Sequence, residues 1–136
     1  MSGKVFSCHK ISEGVGEGEV IVSKDRIMFY LVKPESGEVF EKAHDIEGRS
    51  VAKKALVFPG GKGSSVVQID GLYQLMTRQN QPAAMIIQDA ETVLVASAII
   101  MEIPMVDKVD PKFYEIVKDG DRVRVDANNS TITILD

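Results

Sequence analysis

The segment that most constrains the fold is residues 55–79, where an apolar strand leads through a glycine-rich turn into a helix. The run ALVF at 55–58 contains no polar residue, which is typical of a strand covered on both faces. Pro59 ends the run, and the letters GGKGSS at 60–65 come directly before a helical pattern. A turn of this kind exposes backbone N–H groups and directs the positive end of the helix toward a ligand. The pattern therefore predicts strands packed with helices, and a position for a carboxylate or phosphate at 60–65.

The helix is predicted over residues 66–79. Ser65 and Gln68 have the spacing of a capping box, in which each side chain bonds a backbone N–H of the first turn. Gly71 lies in the middle and weakens the helix by about 1 kcal/mol relative to alanine. The spacing of three and four predicts that the buried face consists of Val66, Ile69, Tyr73 and Met76.

Other parts of the chain alternate between strand and turn patterns. Strands are predicted at 5–9, 20–22, 27–32, 55–58, 83–87 and 105–107, with a closing hairpin over 123–134 and a helical turn or two at 113–117. Residues 14–18, with three glycines, are predicted to be a turn region. The apolar run at 92–99 fits either a short helix capped by Asp89 or Thr92, or a strand.

Three common glycine-loop motifs do not fit residues 60–65. A phosphate-binding P-loop needs serine or threonine directly after its lysine, but Gly63 follows Lys62. The dinucleotide fingerprint needs a third glycine after Gly61 and Gly63 at a spacing that this chain lacks. The nucleophile elbow needs G-x-S-x-G, which is absent from the loop.

The two serines of the loop are expected to have different roles. Ser65 is placed to cap the helix, which leaves Ser64 free to face outward. A serine acts as a base only if its ionised form is stabilised, and Lys62 or the backbone N–H groups could supply that stabilisation. The alternative is that residues 60–65 form only a tight turn and a helix cap.

Composition limits the class of protein. The 136 residues suit a single domain with its own core, and a net charge of −4 without a basic stripe argues against nucleic-acid binding. Cys8 is the only cysteine, so the chain cannot form an internal disulfide or ligate a cysteine cluster by itself. His9 and His44 have no ligand spacing and are expected in surface or core roles. With no signal region and no apolar run long enough to span a bilayer, we expect a soluble, cytoplasmic protein.

Several segments together resemble the small subunit, or swivelling domain, of the aconitase X family. The most specific is FPGGKGSS at 58–65, and the others are 19–23, 44–48, 82–87 and 91–107, in the same order. Three segments depart from the family pattern. Residues 26–33 stand where the family has a Pro-Ile-Ser-Phe segment followed by paired glycines, and residues 66–71 stand where it has small and polar residues. Ala96 and Ser97 stand where a glycine is common.

The resemblance implies an α+β fold, a swivelling β/β/α domain with a mainly β core and a few packed helices, formed by residues 1–136. It implies a hydro-lyase in which an iron–sulfur cluster, held by a large catalytic subunit and not by this chain, binds the departing hydroxyl. Ser64 is then the proton acceptor, and Gly61, Lys62, Gly63 and Ser65 shape the loop that binds the substrate. The chain alone would be inactive. Its apolar run at 99–105 would serve either the subunit interface or the core.

The family also suggests the substrate class, a small anionic hydroxy acid. Its archaeal two-subunit members dehydrate mevalonate 5-phosphate in a modified mevalonate pathway, which is the first expectation for this chain. Bacterial members that dehydrate hydroxyproline provide the alternative within the same class. The alternative from another class is a non-catalytic domain that binds an anion or a partner protein, with neither nucleic acid nor membrane involved.

Overall fold

The computed structural model describes residues 4–135. Over this range the chain forms eight strands, three α-helices and two short 3₁₀ turns. The strands are β1 (Lys4–Ser7), β2 (His9–Ser12), β3 (Val15–Val22), β4 (Ala55–Phe58), β5 (Ala84–Ile87), β6 (Met105–Asp107), β7 (Arg122–Asp126) and β8 (Thr131–Leu135). The helices are α1 (Ser65–Thr77), α2 (Thr92–Ile100) and α3 (Pro111–Ile116), and the 3₁₀ turns are Phe29–Leu31 and Ala127–Asn129.

The strands form one mixed sheet in the order β1-β8-β7-β3-β4-β5-β6-β2. Strands β3 to β6 run parallel, while β7, β8, β1 and β2 pair with their neighbours in antiparallel fashion. The two outermost strands, β1 and β2, are consecutive in the chain and are separated only by Cys8. Because one bent N-terminal segment provides both edges, the sheet closes on itself.

Two hydrophobic clusters lie on opposite faces of the parallel strands. Leu56 and Phe58 of β4 point toward α1, α2 and the long connection after β3, whereas Val57 points toward α3 and the β7–β8 hairpin. All four residues of β4 and of β5 are buried, as the continuous apolar runs predicted. The layering of hairpin sheet, parallel sheet and helices confirms the expected α+β, β/β/α architecture.

The prediction of a turn region at residues 14–18 is wrong for two of its three glycines. Gly16 and Gly18 lie within β3, which pairs with β7 on one side and, further along, with β4 on the other. A Cβ on Gly16 would collide with the carbonyl oxygen of Ala83, and one on Gly18 would lie 2.6 Å from the carbonyl oxygen of Lys53. These glycines therefore permit a close backbone approach within a strand, a role that glycine-rich spacing alone does not distinguish from a turn.

The prediction of a strand at 27–32 is also wrong. The segment makes isolated bridges at its two ends, and its centre is the 3₁₀ turn Phe29–Leu31. Side chains three apart in such a turn point in the same direction, so Phe29 and Val32 both enter the core while Tyr30 stays exposed.

Helix α1 confirms the predicted helix, but its buried face differs from the expected one. Val66 is 73% exposed and Tyr73 is 48% exposed, whereas Ile69 and Met76 are only partly buried. The face against the sheet consists of Gln68, Gly71, Leu72 and Leu75. Gly71 decides this orientation, since a Cβ there would lie 2.5 Å from the carbonyl carbon of Phe29.

Helix α2 resolves the alternative at 92–99 in favour of the helix. Its N-cap is Glu91, whose carboxylate accepts hydrogen bonds from the N–H groups of Val93 and Leu94 at 3.1 and 2.7 Å. Neither Asp89 nor Thr92 provides this cap. In the run at 99–105, Ile99 and Ile100 are exposed, and the core takes up Met101, Ile103, Pro104 and Met105.

Within residues 4–135, no helix combines the length and the apolar character needed to cross a membrane.

Candidate active site

The loop of residues 60–65, called the glycine loop below, lies at the carboxyl end of β4. Strands β3, β4 and β5 are parallel, so the segments that follow them meet at the same edge of the sheet. Loops and helix N-termini follow the carboxyl ends of these parallel strands, and a helix N-terminus is a suitable place for an anion. The sheet thus places the glycine loop where an anionic ligand can approach the start of α1.

Ser64 is the N-cap of α1, with φ −76° and ψ 164°. Its side chain makes no capping hydrogen bond with any described residue, and the residue is exposed. Its carbonyl oxygen accepts the first helical hydrogen bond, from the N–H of Gln68 at 3.1 Å. The hydroxyl of Ser64 is therefore not used to end the helix, and it lies beside N–H groups that have no partner within the helix.

The predicted capping box does not form. Ser65 is the first residue of α1 and is exposed, whereas the Gln68 side chain is buried and bonds the segment after β3 instead. The expectation that Ser64 is free and faces outward agrees with the structure, although Ser65 does not free it by capping.

The two glycines after Gly60 are needed for different reasons. Gly63 has φ +99°, in the region that favours glycine, and a Cβ there would lie 3.1 Å from Cγ2 of Val67. Gly61 is buried, and a Cβ on it would collide with Nε2 of Gln68. Both glycines hold the loop close to the helix and leave its outer side open.

Lys62 is already paired. Its Nζ lies 2.6 Å from Oε2 of Glu41, and its backbone N–H donates to the carbonyl oxygen of Ile27 at 3.3 Å. The carboxylate of Glu41 offsets most of the positive charge that Lys62 would present to an ionised serine. In this arrangement the start of α1 is the nearer source of positive potential for Ser64.

Arg26 is a site residue that the sequence analysis missed. Its guanidinium donates to the carbonyl oxygen of Gly61 at 3.2 Å and to Oδ2 of Asp89 at 2.8 Å. Arg26 thus joins the three segments that follow β3, β4 and β5, and its side chain is 42% exposed. No motif marks it, because its partners Gly61 and Asp89 lie 35 and 63 positions away in the chain.

His44 has a structural role behind this loop. The buried ring accepts a hydrogen bond from the N–H of Ile46 at Nδ1 (3.1 Å), and Nε2 lies 2.9 Å from the carbonyl oxygen of Arg26. We assign the proton to Nε2 because a carbonyl oxygen can only accept. The ring holds the backbone of Arg26, so of the surface and core roles expected for His44 the structure shows the core role.

A second polar cluster lies on the other side of the sheet, where β2 pairs with β6. Nδ1 of His9 is 2.7 Å from Oδ1 of the buried Asp107. Burial, with the negative charges of Asp107 and Asp126, raises the pKa of the Cys8 thiol to about 11. Burial and Asp107 likewise raise the pKa of Tyr114 to about 12. Cys8 is therefore a neutral, half-buried thiol at physiological pH, as expected for a small core residue.

The described residues do not fit the iron–sulfur cluster that the family resemblance implies. Residues 4–135 contain no group of three or more His, Cys, Asp or Glu side chains placed to hold a metal ion. Clusters of this kind are held by several cysteine thiolates, and this sequence has one cysteine.

The chain is similar to known proteins over nearly its whole length. A family model described as "Aconitase X swivel domain" matches residues 5–134. The "Phosphomevalonate dehydratase small subunit" of Methanothrix thermoacetophila is 45% identical over 132 residues, which cover 96% of this chain and 95% of that protein. The protein of the same name from Methanococcoides burtonii is 42% identical over 132 residues, covering 96% of both chains.

The fold is similar to that of a solved relative as well. The crystal structure of Thermococcus kodakaraensis aconitase X in its holo form superposes with a TM-score of 0.88 at 44% identity. The match covers 98% of this chain and 100% of that one.

Proposed function

The chain belongs to the aconitase X swivel-domain family, and from that membership we propose that it is the small subunit of a phosphomevalonate dehydratase. The relatives that carry this name match it along nearly their full length. The enzyme would be a hydro-lyase of the archaeal-type mevalonate pathway, working in the cytoplasm. The chain would contribute one swivelling domain and would be inactive without its large catalytic subunit.

The observation that carries the proposal is the free hydroxyl of Ser64 at the start of α1. In a 13-residue helix the N-terminal N–H groups and the aligned peptide dipoles favour negative charge. The helix start favours negative charge on Ser64 by up to about 2 kcal/mol, which supports its use as a base in a site closed to water. The same N–H groups suit a carboxylate of the substrate, which fits the roles assigned to Gly61, Gly63 and Ser65.

The reaction assigned to this chain is the removal of a proton from the carbon next to the substrate carboxylate. The electron pair of the broken C–H bond forms the new double bond with the neighbouring carbon. The hydroxyl on that carbon departs with its own electron pair and becomes water when it gains a proton. Ser64 takes the proton from carbon, and general-base help of this kind contributes about 10²- to 10⁴-fold.

The leaving hydroxyl must be assisted by groups outside this chain. An iron–sulfur cluster supplies a Lewis acid for a departing hydroxyl, and the described residues do not fit such a cluster. We therefore assign the cluster to the large subunit. The exposure of Ser64 agrees with this division, since a base on carbon needs a site from which water is excluded.

The first test is anaerobic co-expression with the large subunit, followed by an assay of mevalonate 5-phosphate dehydration. We expect turnover only when both chains are present, and a fall in kcat of about 10²- to 10⁴-fold in Ser64→Ala. Thr77→Ala is the control, because it removes an exposed hydroxyl at the far end of α1, and it should retain activity within a few-fold.

Other outcomes would contradict parts of the proposal. An active complex in which Ser64→Ala is normal would remove Ser64 as the base. A stable complex that dehydrates hydroxyproline instead would replace the substrate. Turnover by the isolated chain, or the absence of any complex, would contradict the assignment as a small subunit.

A further inference from the structure

Gln68 is a buried polar side chain with a specific arrangement of contacts. It is 1% exposed and lies on the face of α1 that packs against the core. Its Oε1 accepts a hydrogen bond from the N–H of Phe29 at 2.8 Å, and its Nε2 donates to the carbonyl oxygen of Ile27 at 3.4 Å. A buried amide is tolerated only when its polar atoms have partners, and here the backbone of the segment after β3 supplies them.

The same side chain determines how close the glycine loop can come. Nε2 of Gln68 occupies the space that a Cβ on Gly61 would need. The loop and the segment after β3 are also joined directly. The N–H of Ile27 donates to the carbonyl oxygen of Gly60 at 3.1 Å, and the N–H of Lys62 donates to that of Ile27 at 3.3 Å. The Gln68 side chain therefore packs between residues 27–29 and the glycine loop, two segments that are hydrogen-bonded to each other.

Gln68 also acts on Ser64 through the backbone. Its N–H holds the carbonyl oxygen of Ser64 at 3.1 Å, in the first hydrogen bond of α1. The backbone of Gln68 thus holds the carbonyl oxygen of Ser64, while its side chain lies against Gly61, three residues before Ser64. Ser64 therefore lies between two points at which Gln68 contacts the chain.

We propose that Gln68 is a positioning residue, which sets the place of the Ser64 hydroxyl by holding the glycine loop and residues 27–29 together. This role rests on the proposed function, in which Ser64 removes a proton from the substrate. A displacement of about 1 Å at a reacting group can cost about 10²-fold in rate. Gln68 itself does not touch the substrate.

The test is Gln68→Met in the reconstituted two-chain enzyme, since methionine has a similar length and shape but lacks the amide. We expect kcat to fall about 10- to 100-fold, with KM changed less than about threefold. The same substitution added to Ser64→Ala should cause no further loss, because Gln68 acts through Ser64. Gln74→Met, a half-buried glutamine on the same helix, is the control and should leave kcat unchanged.

A second measurement needs no substrate. Amide hydrogen exchange of the full chain should become about tenfold faster in peptides covering 27–32 and 60–64 of Gln68→Met, but not in β4 or β5. If Gln68→Met does not fold, Gly61→Ala replaces it in the exchange measurement, because the added methyl group displaces the loop from Gln68 and should give the same faster exchange at 60–64.

The outcomes separate this role from the proposed function. An inactive wild-type complex contradicts the proposed function, while unchanged exchange in Gln68→Met independently contradicts the role of Gln68. Faster exchange with a normal kcat would show that Gln68 is only structural. If Gln68→Met lowers kcat by the same factor in the Ser64→Ala variant as in the wild type, Gln68 does not act through Ser64.

Discussion

At the scale of single residues, Cys8 shows how surroundings determine the chemistry of a side chain. It lies between β1 and β2, half-buried and near the carboxylates of Asp107 and Asp126. Burial and these negative charges both disfavour the thiolate, which is the reactive form. The only cysteine of the chain is therefore protected from the reactions that an exposed thiol would undergo.

We expect Cys8 to react slowly with iodoacetamide. With a pKa of about 11, roughly one thiol in 1,000 is ionised at pH 8, against about a quarter for an unfolded cysteine. The greater nucleophilicity of the more basic thiolate offsets part of this difference, so alkylation should be at least about tenfold slower than in the chain unfolded by guanidinium.

Mass spectrometry of the alkylated chain measures this rate. The alkylation rate should increase steadily between pH 8 and 10, because the thiolate population grows as the pH rises toward the pKa of about 11. A plateau near pH 8.5 would contradict the raised pKa.

At the scale of secondary-structure elements, the position of α1 depends on a glycine that allows close packing and on a glutamine that forms hydrogen bonds. Gly71 allows the helix to reach the 3₁₀ turn Phe29–Leu31, and Gln68 then bonds the N–H of Phe29. Segments 26–33 and 66–71 are thus in direct contact beside the glycine loop. The hydrogen bond joins positions 39 residues apart, which neither segment alone would show.

The orientation of α1 is tested by comparing its two apolar stripes. Leu72 is fully buried, so Leu72→Ala should lower the free energy of unfolding by about 2–5 kcal/mol. Val66 is 73% exposed, so Val66→Ser should change it by less than about 0.5 kcal/mol. Urea denaturation of the full chain measures both. A large decrease in the free energy of unfolding in Val66→Ser, with a small decrease in Leu72→Ala, would instead support the buried face predicted from the sequence spacing.

At the scale of the whole molecule, residues 4–12 determine whether the sheet is open or closed. β1 pairs with β8 at one edge and β2 pairs with β6 at the other, although only Cys8 separates them. Phe6 of β1 packs edge-on against Phe113 of α3, with ring centroids 5.6 Å apart, so this segment also covers the enclosed core. An unpaired strand edge and an exposed core would result from its loss.

We expect that a chain without residues 1–12 no longer unfolds cooperatively on heating. Circular dichroism during a thermal scan measures this. Lys10→Ala keeps β2 and changes only an exposed side chain, so it should unfold like the wild type, within about 0.5 kcal/mol. A truncated chain that still unfolds cooperatively near the wild-type temperature would show that closure of the sheet is not needed for stability.

The sequence by itself determined the elements whose patterns are local. These are the apolar strands β4 and β5, the helix after the glycine loop, the closing hairpin and the exposed Ser64. Residues within a few positions of one another determine these elements. The FPGGKGSS motif is likewise contiguous, so the sequence alone was enough to identify the resemblance.

Tertiary structure decided what depends on residues far apart in the chain. It turned Gln68 from a helix cap into a bridge to Phe29 across 39 positions, brought Arg26 to Gly61 across 35, and placed Gly16 and Gly18 in a strand. In each case two backbone segments approach closely, and the partner that fills or leaves the space is not a sequence neighbour. Sequence spacing shows which side chains can lie on one face of a helix or strand. Tertiary packing determines which of those faces is buried against the sheet.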